Sequence, residues 1–344
     1  MKVLLVKLSS MGDIIHTLPA ITDAARAVPG IKFTWLVEEG FQEIANWHPA
    51  VEMVIPTSLR KRKLRNVIDC IKKVRQHDYD LVIDAQALIK SAVLSKLANA
   101  RSSAGYDWDS CREGVASLLY KHNYKITKNM HAIDRIRQLF ALALNYPIPN
   151  TAADYGINWD EIIAEPIVAT DKPYLVFLHG TTWGTKHWPE SYWLELADIV
   201  AQQGFGVQVT WATAEQKARA QRLAQHSTAV TMLPHLTLNQ AASVLNQANG
   251  VVAVDTGFAH LSAALNKPIV AIYGASDVKK AGTAGNRSIN LAANFVCSPC
   301  NKRICTYKNP SAMQPPCLQQ ISPQLVWDNL ARLIEPRFKQ GFLL

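Results

Sequence analysis

Residues 2–28 read KVLLVKLSSMGDIIHTLPAITDAARAV, and the order of signals in that stretch decides the fold. Residues 2–7 form a short apolar run between two lysines, the pattern of a strand buried on both faces. Gly12 permits a tight turn, and Asp13 then opens a helical pattern over residues 14–28. Outward from this unit, residues 33–37, 51–55 and 81–84 read as further strands, with helical patterns at 41–47, 59–77 and 88–99. Alternation of this kind predicts right-handed crossovers and a parallel, doubly wound α/β sheet. Residues 109–145 read as helical throughout.

The segment 146–173 carries Pro147, Pro149, Pro166 and Pro173 with little periodicity, and reads as a linker. The alternation then restarts. Strands are expected at 174–178, 207–211, 230–233, 251–254 and 269–273, helices at 188–203, 215–225, 239–247 and 257–265, and a helical tail at 323–338. The chain of 344 residues suits two such domains, taken as 1–160 and 161–321, with residues 322–344 a C-terminal helix returning to the first. Two αβ domains in series are expected to leave a ligand cleft between them.

Apolar residues at 49% and charged residues at 18% exclude a mainly disordered chain. No apolar run reaches the ~18–20 residues of a membrane span. Lys7 interrupts the N-terminal apolar core before it could serve as a secretory segment, so a cytoplasmic location is expected. The net charge of +9 favours an anionic partner: nucleic acid, nucleotide or an anionic membrane surface. Neither zinc-finger spacing nor an RNA-binding pattern accompanies it, so nucleic acid is set aside.

Five groups of residues could carry chemistry. Asp13, at the carboxyl edge of the first sheet, reads either as a helix cap or as a general base. The turn lacks G-x-G-x-x-G, which argues against a dehydrogenase. Asp255-Thr256-Gly257 with His260 follows a buried strand and opens a helix, whose free N–H groups and dipole suit a diphosphate. Thr181, Thr182 and Lys186 lie on another strand-to-helix loop and could meet phosphate oxygens. Arg60, Lys61, Arg62 and Lys63 belong to a run, residues 56–75, with eight basic side chains and one acid, Asp69. It is either a solvated face or a site for an anionic substrate or membrane. Cys297, Cys300, Cys305 and Cys317 read as four reduced thiols or as a structural metal knuckle, and nearby cations would lower their thiol pKa values.

These motifs in this order resemble the bacterial heptosyltransferases of glycosyltransferase family 9, and within it the type I branch of the lipopolysaccharide inner core. The resemblance spans nearly the whole chain. It rests on residues 6–19 (VKLSSMGDIIHTLP), 37–41 (VEEGF), 82–86 (VIDAQ), 186–190 (KHWPE) and 255–261 (DTGFAHL). It implies a GT-B fold of two facing Rossmann-like domains, the first binding a Kdo-lipid A acceptor and the second ADP-L-glycero-β-D-manno-heptose. It implies inverting transfer without a metal or other cofactor, at the cytoplasmic face of the inner membrane. By resemblance Asp13 is the base. Thr181, Thr182, Lys186, Asp255, Thr256, Gly257 and His260 surround the donor, Glu215 holds its ribose, and the run from Arg60 meets the acceptor. The cysteines resemble type II relatives instead, which leaves two acceptors open: two Kdo units or one phosphorylated Kdo. The competing readings are another nucleotide-sugar GT-B enzyme, such as an epimerase, and a non-catalytic lipid A- or anion-binding protein.

Overall fold

The structure is a computed structural model that describes residues 1–61, 63–159, 162, 172–308 and 314–341, the last seven as backbone. The chain divides into two compact units, Met1–Glu161 and Ile162–Leu344.

In the first unit, strands β1 (Lys2–Val6), β2 (Lys32–Glu38), β3 (Val51–Thr57), β4 (Asp78–Asp84), β5 (Asn99–Tyr106) and β6 (His122–Tyr124) form one sheet in the order β3-β2-β1-β4-β5-β6. Every pairing is parallel; Leu4, for example, sits between Thr34 and Val82. The helices are α1 (Met11–Ile15), α2 (Leu18–Ala27), α3 (Gln42–Asn46), α4 (Leu64–Arg75), α5 (Ile89–Leu97) and α6 (Ala132–Leu144). The apolar run of β1 is buried from Val3 to Val6, because helices cover both faces of a parallel sheet. Leu4, Val6, Val82 and Leu94 share one core cluster with Cys70 and Val74 of α4.

The second unit repeats the plan. Its strands are β7 (Tyr174–Leu178), β8 (Gly206–Val209), β9 (Val230–Met232), β10 (Gly250–Val254), β11 (Ile269–Tyr273) and β12 (Ser288–Ala292), in the order β12-β11-β10-β7-β8-β9, again all parallel. Helices α7 (Glu190–Gln202), α8 (Ala214–His226), α9 (Leu238–Gln247), α10 (Gly257–Ala264), α11 (Val278–Ala281) and α12 (Pro323–Gly341) accompany them. Phe177, Trp188 and Trp193 pack in its core.

Several expectations need correction. Residues 109–145 are not helical throughout: only α6 is an α-helix, preceded by a 3-10 segment at Gly114–Leu119 and by β6. The expected helix 59–77 is a 3-10 turn at Leu59–Lys61 followed by α4. The segment read as a linker is fastened to the first unit as far as residue 159. Arg137 donates to the Thr151 carbonyl at 2.7 Å, Asp154 pairs with Arg26, and Tyr155 is buried. Most of 160–171 lies outside the described residues. In the C-terminal helix, Val326, Leu330 and Ile334 pack in the second unit's core.

Candidate active site

In the first sheet β2 and β3 lie to one side of β1, while β4, β5 and β6 lie to the other. Chain direction across the sheet therefore reverses between β1 and β4, where open α/β sheets place ligands at their carboxyl edge. The loops after these two strands are bound together. Gln86 Oε1 accepts from the Leu8 and Ser9 N–H groups at 2.8 and 3.1 Å, and Lys7 Nζ donates to the Ala85 carbonyl at 3.0 Å. Gln86 is itself held by Asp84, whose Oδ1 accepts from the Gln86 and Ala87 N–H groups, while Oδ2 accepts from the Tyr120 hydroxyl at 2.8 Å. Asp84 is fully buried. Desolvation raises its pKa, and these donors oppose the rise. Gly105 makes the Tyr120 contact possible, since a Cβ there would stand 2.3 Å from the ring.

Asp13 sits at the third position of α1. Its Oδ2 accepts from the Ser10 N–H and hydroxyl, both at 2.8 Å, so the capping reading is met. Its Oδ1 stands 3.6 Å from the buried ammonium of Lys7, and the side chain is 43% exposed, which leaves it open to a ligand as well. Asp13 and Lys7 line a cavity of about 350 Å³ with Arg112, Lys128 and Arg135. The Arg135 guanidinium lies 4.9 Å from the centre of the Tyr106 ring and donates to the Ser110 carbonyl. Sequence reasoning missed Arg112, Lys128 and Arg135. They follow β5 and β6, the two strands of the first unit that it did not find, so nothing marked their loops as part of the rim.

The expected basic run stands on the same rim after β3. Arg60 donates its backbone N–H to Glu38 and lies over the Phe41 ring, 5.2 Å from its centre. Lys61 pairs with Glu39 at 2.7 Å, and that bond, with one from Ser58, lowers the Glu39 pKa. Lys63 is the N-cap of α4, and Arg62 lies outside the described residues. The motif at 37–41 therefore partly neutralises and seats this run.

In the second unit the reversal falls between β7 and β10. Thr181 Oγ1 donates to the Asp255 carbonyl at 3.0 Å, and Lys186 Nζ pairs with Asp255 Oδ2 at 2.7 Å, both groups largely buried. The ammonium also lies 4.3 Å from the centre of the Trp183 ring. Thr256 is the N-cap of α10 and makes no side-chain cap bond. Thr182 is exposed; His260 is buried one turn into α10. Glu215 is 80% exposed in the first turn of α8, 3.7 Å from Arg219, and Trp211, two residues beyond β8, carries Lys217 over its ring. Arg219 also bonds His187 at 2.9 Å; burial, then Arg219, lowers the pKa of that imidazole.

The four cysteines are free thiols. Cys317 is buried and its pKa is pushed up to about 11, first by desolvation and then by the three neighbouring thiols, not lowered by cations as expected. The four lie near one another. Even so, among the described residues no group of three or more His, Cys, Asp or Glu side chains is placed to hold a metal ion.

Two doubly wound domains in series, each with polar groups gathered at the reversal point of its sheet, are the GT-B arrangement of nucleotide-sugar glycosyltransferases. The chain belongs to glycosyltransferase family 9 (heptosyltransferase), whose sequence profile matches residues 67–310. It is 45% identical to lipopolysaccharide heptosyltransferase 1 of Pseudomonas aeruginosa, over 98% of this chain and 99% of that protein. Two solved structures of the Escherichia coli heptosyltransferase WaaC are similar throughout. The one with ADP has a TM-score of 0.84 at 38% identity, covering 97% of this chain and 100% of that one. The one with ADP-2-deoxy-2-fluoro heptose has a TM-score of 0.81 at 39% identity, covering 96% and 99%.

Proposed function

We propose that the protein transfers L-glycero-D-manno-heptose from ADP-heptose to the Kdo of a Kdo-lipid A acceptor, with inversion, as a type I heptosyltransferase. The donor follows from the similarity to WaaC, which was solved with ADP and with a fluorinated ADP-heptose. The observation that carries the mechanism is the cavity in which Asp13, half exposed, stands among Lys7, Arg112, Lys128 and Arg135. An acceptor whose carboxylate is held by those cations would present a hydroxyl to Asp13. Asp13 takes that proton as the oxygen attacks the anomeric carbon, and the C–O bond to ADP breaks. The charge growing on the leaving diphosphate is met by Lys186 and by the N–H groups that open α10. In this reading Thr181, Thr182, Asp255, Gly257 and His260 complete the donor site, and Glu215 grips the ribose. Arg60 to Lys63 meet more distant anionic groups of the acceptor. No divalent ion enters these steps, so turnover should survive EDTA; loss that Mg²⁺ restores would overturn this part.

The deciding assay incubates the purified protein with ADP-heptose and a panel of acceptors bearing two Kdo units or one phosphorylated Kdo. ADP release and a product heavier by one heptose are expected. Absence of transfer to every acceptor would leave an anion-binding protein, and turnover of UDP-sugars instead would indicate an epimerase-like enzyme.

A further inference from the structure

Fifteen large apolar side chains are exposed among the described residues, and seven of them stand on three neighbouring elements of the first unit. On α4 they are Leu64 and Ile68, one turn apart. On α5 they are Ile89, Val93 and Leu97, a four-residue repeat that puts all three on one face. On the 3-10 segment they are Val115 and Leu118. Segment and helix are joined where the Ile89 N–H donates to Glu113 at 2.7 Å, and α4 also packs against α5.

An isolated exposed leucine needs no explanation, but a stripe that continues across adjacent elements does. The inner faces of these helices already serve the core, through Cys70, Val74, Ala92 and Leu94. The outer stripe is therefore surplus to folding. Its polar companions are mostly basic, with Asp69 and Glu113 the exposed acids among them. Arg65, Lys72 and Lys73 on α4 and Lys90 and Lys96 on α5 are exposed, and Asp69 is the one acid on the two helices. Apolar side chains set among lysines and arginines match an anionic lipid interface, where hydrocarbon enters the acyl boundary and cations meet headgroups. A protein partner of ordinary composition would not require such an excess of one charge. Both helices begin at the carboxyl rim that carries Asp13, following β3 and β4.

We propose that the outer face of α4, α5 and the 3-10 segment is the surface by which this protein lies on an anionic membrane. This rests on the proposed function in one respect: a lipid-borne acceptor gives the surface its use. The geometry and charge stand without it. Docked in this way, the rim with Asp13 is held next to the headgroups from which the acceptor sugar projects.

The test uses the full chain and vesicles of one part phosphatidylglycerol to three parts phosphatidylcholine. Wild-type protein should cosediment with them, less at high salt, and should not cosediment with phosphatidylcholine alone. Ile68→Ser/Val93→Ser/Leu118→Ser should lower the partition coefficient about tenfold or more, since each change removes hydrocarbon from the interface. Lys72→Glu/Lys96→Glu should lower it and flatten its salt dependence. Leu118→Trp should raise it. Turnover of a water-soluble, deacylated acceptor should stay within about twofold in the serine variant, because its residues touch none of the site. Turnover of the same acceptor carrying its acyl chains in vesicles should fall with the partition coefficient. Unchanged vesicle binding in both multiple variants overturns the proposal, as does self-association of the wild type abolished by the serine variant without vesicle binding. If no acceptor is turned over at all, the heptosyl-transfer reading fails, while the sedimentation result still decides the surface.

Discussion

Asp13 serves two purposes at once, and the two can be separated by substitution. Its carboxylate closes a capping box on Ser10 and also stands beside the Lys7 ammonium in the cationic cavity. Asp13→Asn keeps an acceptor oxygen for the cap, so the melting temperature should move little. Removing the base should still lower kcat by about 10²–10⁴-fold. Near-wild-type kcat in Asp13→Asn would reduce the residue to a cap. In the second unit the two charged groups should respond differently. Lys186 is fixed by Asp255 and Trp183, and as the ammonium facing a leaving diphosphate it should act mainly in the transition state. Lys186→Ala is expected to lower kcat. Glu215 is exposed and bound only loosely to Arg219, so Glu215→Ala should raise the KM for ADP-heptose with kcat nearly unchanged. The opposite pattern in steady-state kinetics would exchange their roles.

At the scale of elements, residues 146–159 show how a segment with no periodicity is ordered by particular contacts. Gly156, at φ +60, lies where a Cβ would stand 2.3 Å from Thr22 Oγ1 and 2.6 Å from His48 Nε2. His48 Nδ1 accepts from the Ala50 N–H, so its Nε2 carries the proton and donates to Thr22. Gly156→Ala would both strain the backbone and push into this bond, and should destabilise the first unit by about 2 kcal/mol or more in urea unfolding. A shift below about 0.5 kcal/mol would show that the segment yields and is not fastened. Such contacts are invisible in a sequence, because Asp154 and Arg26 are far apart in the chain. All strands but β5, β6 and β12 were legible, and the clearest, β1, β7, β10 and β11, are apolar runs buried on both faces. Residues 99–106 (NARSSAGY) contain no β-branched side chain; pairing with β4 and β6 makes them a strand. Missing β5 and β6 also hid the cations that follow them. Asp13, Lys186 and Asp255 were legible because they adjoin clear strand-to-helix turns.

The whole molecule is two units with separate sheets and cores, and in each a buried imidazole is held in its neutral form. Burial is the main cause in both. His48 in the first unit is lowered to about 4, with Arg26 adding to the effect and Asp154 opposing it. His179 in the second, packed near Trp193, is also lowered to about 4, with Arg219 adding to the effect. An unfolded chain protonates the same groups near 6.5. Between these values the unfolded state binds protons that the folded state does not, so stability falls as pH drops from about 6.5 towards 4 and is fully present above that window. The loss should approach about 3 kcal/mol for each imidazole. Because separately cored units need not melt together, thermal unfolding should be followed by calorimetry across pH 5–7.5, with the transitions assigned by variants. His179→Phe keeps an apolar aromatic ring beside Trp193 and removes the titration. It should flatten the acid slope of the second unit's transition and leave that of the first unit unchanged. His48→Gln should do the reverse, at some cost in stability at neutral pH because the Thr22 and Ala50 bonds are disturbed. If His179→Phe leaves the acid slope of both transitions intact, the buried imidazoles are not what makes the fold sensitive to acid.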